Sequence, residues 1–174
     1  MNVAVLIDRM ERTPVVVRTL VSGMSRGEAT YKPPSGAWSI LEIVNHLADE
    51  DSDDFRARLG MILTDPAAPW PGTDPEGWAV RRKYQERDLA ESISRFEKER
   101  AESLRWLRSL KDPDWEATYL HPNHGPVKAG ELMVSWPAHD ALHIRQIAKR
   151  LYELAGREGT REGYSTRYAG EWGA

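Results

Sequence analysis

His139 and His143 stand four residues apart in the segment HDALHIRQI. That spacing places both imidazoles on one face of a helix, about 6 Å apart along its axis. His46 lies in an earlier helical stretch, WSILEIVNHLADE. Imidazole nitrogens suit zinc, nickel, cobalt or iron, and three of them leave a coordination position for water or substrate. An imidazole brought from a facing helix would therefore complete a metal site with the pair. Leu132, Trp136, His139, His143 and Ile147 step along one helical stripe, so the two histidines occupy positions where leucine would be ordinary. Either one alone also fits a satisfied core or surface residue. Burying both demands a partner for each ring.

Acidic residues surround these positions. Glu42, Asp49 and Glu50 share a helix with His46, and Asp140 follows His139. Any of them could orient a ligating ring through its second nitrogen or take a proton from water. Asp49 and Glu50 are the candidate catalytic acids, although each equally suits a solvated helix face. His121 and His124 lie in the loop segment HPNHG just before the last helix. His124 is the candidate substrate contact there, against the alternative of an ordinary turn. Pro137, following Trp136, removes one helical hydrogen bond and should bend the chain just ahead of His139.

Four helical stretches must position these groups. The first spans roughly residues 3–24, with Pro14 expected to kink or split it. The second opens at a capping box, Ser39 to Glu42, with Trp38 and Ile43 at the staple positions. It continues to about Leu63 on the stripe Ile43, Leu47, Phe55, Leu59 and Ile62. A proline-rich connection over residues 65–78 follows. The third helix has a capping box in Asp88 to Glu91 and runs to about Leu110 through Leu89, Ile93, Phe96, Leu104 and Leu107. After a turn-rich segment, the fourth covers about residues 129–154 and is expected to end at Gly156. No convincing strand run is present. The predicted fold is thus all-α, a four-helix bundle over residues 1–156 with a polar tail at 157–174. The long connection between helices 2 and 3 permits a crossover.

Composition narrows the function. The chain has 174 residues, 40% hydrophobic and 29% charged, as expected of one ordinary globular domain. A formal charge of -3 gives no pull toward nucleic acid. Arg81, Arg82 and Lys83 form the only compact basic cluster, and it suits plain surface. There is no cysteine, so a thiol in the chemistry would have to come from outside. Without a signal-peptide core or a long apolar run, the expected location is cytoplasmic, with no membrane contact.

The segments WSILEIVNHL (38–47) and HDALHIRQI (139–147) resemble the two hallmark segments of the DinB-like superfamily of bundle proteins. HPNHGPV followed by Glu131-Leu132 is similar to the stretch that precedes the last helix in many members. The likeness covers nearly the whole chain. It implies that His46, His139 and His143 bind one divalent metal, most often nickel or zinc, and that the protein forms a homodimer. Known activities in that superfamily include transfers and isomerisations that use low-molecular-weight thiols, and other members are suspected hydrolases. The leading expectation is therefore a metal-dependent enzyme acting on a small molecule, with a thiol-dependent transferase first. A metal-dependent hydrolase, or a bundle that binds metal or a small ligand without turnover, are the alternatives. Arg145 and Arg81 are candidates to meet a charged thiol.

Overall fold

The computed structural model describes residues 1–172. Helix α1 (Val3–Leu20) is capped by Asn2, whose side chain accepts from the Val5 N–H at 3.2 Å. Pro14 lies inside it without splitting it. A proline leaves the carbonyl four residues earlier without its helical donor. Here that carbonyl belongs to Met10, and the Arg100 guanidinium donates to it at 2.9 Å. The helix is preserved because another helix supplies the missing hydrogen bond.

A one-turn helix α2 (Arg26–Ala29) leads to α3 (Ile40–Asp49). The expected capping box opens α3: Ser39 Oγ accepts from Glu42 N, and the Glu42 carboxylate accepts from Ser39 N at 2.8 Å. Trp38 packs against the apolar cluster that contains Ile43. The chain continues through a π-helical segment (Glu50–Phe55) into α4 (Arg56–Thr64), so the second long helix exists with a wider turn in its middle. Such turns recur at functional sites because they re-phase side chains. In this one, residues four apart stay in line. Leu47, Asp51 and Phe55 remain buried, while His46, Glu50 and Asp54 all line one cleft.

The connection over residues 65–88 is less irregular than its prolines suggest. It contains α5 (Pro75–Arg81), capped by Asp74, and a 3-10 turn (Tyr84–Glu86). Tyr84 is fully buried and donates its hydroxyl to Asp49. Helix α6 (Leu89–Ser109) starts where Asp88 accepts from Glu91 N at 3.0 Å. The fold is all-α as expected, with one small addition between α6 and the last helix. Strands β1 (Thr118–His121) and β2 (Gly125–Lys128) form an antiparallel hairpin in the register Thr118 to Lys128 and His121 to Gly125. Four-residue strands, one containing Pro126, carry too little alternation to stand out in a sequence.

Helix α7 (Ala129–Arg161) is longer than expected and passes through Gly156. Its true stop is Gly163, at φ 81°, with Tyr164 N donating to Gly159 O and Gly163 N to Thr160 O. This is a Schellman closure, which needs the left-handed backbone that glycine allows. Beyond it the tail packs back on α7, where the Tyr152 hydroxyl donates to Gly170 O at 3.2 Å.

Helix α1 packs on α6 and α7, and α3 packs on the same two. The first two long helices therefore sit diagonally across the bundle, and the order is not a simple up-down sequence. The core divides into two apolar halves. One is built around Met10, Leu59, Leu104 and Trp136, the other around Val17, Val44, Phe96 and Ile147. Between them each long helix contributes one buried polar residue: Thr13, Asp51, Arg100 and Asp140. Arg100 binds Asp51 through Nε at 2.9 Å and Asp140 through Nη1 at 2.6 Å and Nη2 at 2.9 Å, while Thr13 donates to Asp140 at 3.0 Å. Two carboxylates on one guanidinium hold it firmly charged and offset the penalty of burying it.

Candidate metal centre

Beside this polar layer, α3 and α7 bring the three histidines together. His46 Nε2 lies 3.3 Å from His139 Nε2, which lies 3.0 Å from His143 Nε2. One ligating nitrogen from each falls within 4.8 Å of the others. The i, i+4 spacing supplies two nitrogens from α7. The packing of α3 against α7 supplies the third.

The rings are held by aromatic neighbours. Trp38 sits 4.7 Å from His46 and stacks at 6.4 Å on His143, and Phe55 meets the His139 ring edge-on at 5.2 Å. His143 Nδ1 is 2.9 Å from Gln146 Oε1, a contact that fixes the proton on Nδ1 and leaves Nε2 with its lone pair inward. His46 Nδ1 faces the Glu50 carboxyl at 3.6 Å, with no hydrogen bond to either atom among the described residues. Carboxyl groups behind a ligating imidazole are a recurring support of metal sites.

Burial and mutual repulsion keep these rings neutral. Burial, then His143 and His139, push His46 down to about 2. Burial and then His143 push His139 down to about 4, and burial lowers His143. Neutral imidazole is the ligand form, so protons do not compete with a metal near pH 7. Nε2 separations of 3.0 and 3.3 Å from His139, with all three donors within 4.8 Å of one another, match imidazoles sharing one ion at roughly 2.0–2.1 Å each. Without a cation their lone pairs repel. The donor set therefore fits a divalent transition metal.

The same pattern predicts an acid-sensitive metal-free protein. The unfolded chain takes up histidine protons below about pH 6.5, while folded His139 and His46 resist them to about 4 and about 2. Stability from these two is fully present above pH 6.5 and falls as pH drops. Glu50 runs the other way, because burial, then Asp54, raise its carboxyl to about 9. Its neutral form therefore costs stability as pH rises from about 4.5. In chelator-treated Glu50→Gln, which removes that opposing effect, urea unfolding should lose about 2 kcal/mol per histidine between pH 7 and 5. A flat profile there would mean that the imidazoles are not held neutral.

Not every candidate joins the cluster. Asp49 is fully buried on the other side of its helix, where Tyr84, Arg95 and Arg82 occupy its oxygens, and it does not line the cleft. Two guanidinium groups and a phenol hold it on the face of α3 away from the histidines. It anchors the 65–88 connection instead. Glu42 is used by the helix cap and Lys32. Asp140 belongs to Arg100. His124 is exposed in the hairpin turn, outside the cleft lining, and its neighbour His121 accepts the turn's N–H groups at 3.1 and 3.2 Å. The cleft itself, about 930 Å³, runs from the histidines past Trp38 and Glu50 and along α7 to Arg145, Lys149 and Arg150. Sequence inspection missed Arg100 and Arg150, both of which sit on buried stripes of their helices.

A helix bundle with three convergent imidazoles opening into a cleft defines a metal-binding four-helix-bundle protein. Comparison with known sequences identifies which one: the DinB superfamily profile matches residues 9–147, and the chain belongs to that superfamily. It is 27% identical over 150 residues to "Putative metal-dependent hydrolase OB0782" of Oceanobacillus iheyensis, covering 83% of this chain and 84% of that protein. It is 22% identical over 149 residues to "Putative metal-dependent hydrolase YfiT" of Bacillus subtilis, covering 83% of each. The solved structure of YfiT, described as an unusual four-helix bundle topology, superposes with a TM-score of 0.76 at 20% identity over 94% of this chain and 89% of that one. No helix among the described residues is long and apolar enough to cross a membrane.

Proposed function

We propose that this protein is a metal-dependent hydrolase of small molecules. The observation that carries the proposal is the convergence of three neutral imidazole nitrogens at a cleft that also presents the Glu50 carboxyl. The relatives named as metal-dependent hydrolases support it over thiol-dependent transfer. His46, His139 and His143 would hold a divalent ion such as zinc or nickel. When bound, that ion supplies Lewis acidity and lowers the pKa of water. Glu50, which lines the same cleft, would take the proton from the attacking water and return it to the leaving group. Its carboxyl is kept protonated by burial and Asp54 in the metal-free arrangement, and a nearby dication would draw it down toward the working range of a general base. Trp38 packs over two of the rings and shields them from solvent. Assembly as a cytoplasmic homodimer rests on the sequence and the family resemblance.

The test is hydrolysis of a panel of esters, amides and phosphoesters by zinc- and nickel-loaded protein, with a thiol-plus-electrophile assay alongside. With zinc or nickel supplied in excess, Glu50→Gln should still take up about one ion per chain, at up to about 100-fold lower affinity, and lose roughly 10²- to 10⁴-fold in kcat. Thiol conjugation without hydrolysis would reverse the assignment.

A further inference from the structure

One wall of the cleft is left without a task by the metal chemistry. Arg150 lies seven residues beyond His143 on the same face of α7, two turns or about 10 Å along the helix. It is only 4% exposed, yet it lines the cleft. Glu153 pairs with its Nη1 at 2.7 Å, and Nε has no hydrogen-bond partner among the described residues. Burying a guanidinium with an unused donor is costly, which points to an acceptor that arrives with a ligand.

The surrounding charges favour an anion. Arg145 and Lys149 line the same wall and form no ion pair among the described residues. Of the acids on the facing elements, Asp54 is matched by Arg58 at 2.6 Å and Glu76 accepts from the Trp38 indole at 3.1 Å. Glu50, the third, lies against His46 at the other end. With Arg150 paired to Glu153, the charges left without an ion pair along the cleft, among the described residues, are Arg145 and Lys149 on α7 against Glu76 on the facing wall, so the α7 end stays positive.

We propose that Arg150, flanked by Lys149 and Arg145, is an oxyanion-binding subsite that selects substrates carrying a carboxylate or phosphate about 10 Å from the group that meets the histidines. The guanidinium fork suits either anion, because both present two coplanar acceptors at its spacing. As a statement about substrates the proposal rests on the hydrolase assignment. As a binding site it can be tested without turnover.

The experiment is calorimetric titration of metal-free, chelator-treated protein with 4-phenylbutyrate, phenyl phosphate and the neutral 4-phenylbutyramide. At least one anion should bind about tenfold or more tightly than the amide, and the stronger of the two identifies the preferred oxyanion. Arg150→Gln should abolish that preference while leaving metal uptake unchanged. If that variant does not fold, the solvent-facing double variant Arg145→Gln/Lys149→Gln decides, with a loss of about threefold or more expected. Equal affinity for acid and amide, or an unaltered preference in the folded variants, overturns the subsite. Anion binding by a protein that hydrolyses nothing would leave the subsite standing and remove the hydrolase.

Discussion

His143→Ala should reduce bound zinc or nickel from about one ion per chain to a trace after dialysis, and activity should disappear with it. The substitution removes one of three nitrogens that meet at 3.0 and 3.3 Å, and only two neutral imidazoles remain. Losing a group behind a ligand typically costs 10- to 100-fold in metal affinity, so losing a ligand should cost at least about 100-fold. A second readout separates this from simple damage to the fold. Metal bound only by the native state raises its stability by mass action, about 2.7 kcal/mol at 100 times Kd. The melting temperature of the wild type should therefore rise on addition of zinc, whereas that of His143→Ala should not. Elemental analysis of protein made without an affinity tag provides the stoichiometry. Full metal content in the variant would remove His143 from the site, and its absence from the wild type after zinc or nickel addition would remove the metal altogether.

The next largest effect belongs to a residue far from any substrate. Arg100→Met should destabilise the protein by about 3–5 kcal/mol, a large share of the 5–15 kcal/mol typical of a folded domain. The loss comes less from the salt bridges than from what they leave behind. Asp51 and Asp140 would stay buried without a counter-charge, and the Met10 carbonyl that Pro14 deprives of a donor would be orphaned. In a domain of this size the melting temperature should fall by on the order of 10 °C. Replacing Arg100, Asp51 and Asp140 together with apolar residues of similar volume should recover much of the loss, since buried ion networks contribute little net stability over a packed core. Thermal and urea unfolding of the single and triple variants measure the difference. A loss below about 1 kcal/mol for Arg100→Met would show the layer to be better hydrated than its burial implies.

That layer also fixes the metal centre. Asp140 stands between His139 and His143 in sequence, and its carboxylate is tied to α6 through Arg100 and to α1 through Thr13. These bonds set the rotation of α7, and with it the direction of both imidazoles. The π-helical turn does the same on the other side. It keeps Asp51 toward Arg100 and Glu50 toward the cleft.

The sequence by itself determined the four long helices, their caps at Ser39 and Asp88, and the pairing of His139 with His143. These are local signals: apolar positions repeat with the helix, a cap lies within three residues of its partner, and an i, i+4 pair shares a face whatever surrounds it. The family resemblance pointed to His46, and the packing of α3 on α7 brings it there. Tertiary structure alone decided the rest. Arg100 fills the gap in the stripe between Phe96 and Leu104, yet a charged residue on an apolar face announces only that partners must exist, not that they are Asp51 and Asp140. Asp49 and Glu50 are adjacent acids in the same helix, and no local rule says that one is bound by Tyr84, Arg82 and Arg95 while the other faces His46. The hairpin, the diagonal placement of α1 and α3, and the passage of α7 through Gly156 likewise depend on contacts between distant segments. A side chain's role as ligand, base or anchor is set by what packs opposite it, and that is a property of the fold.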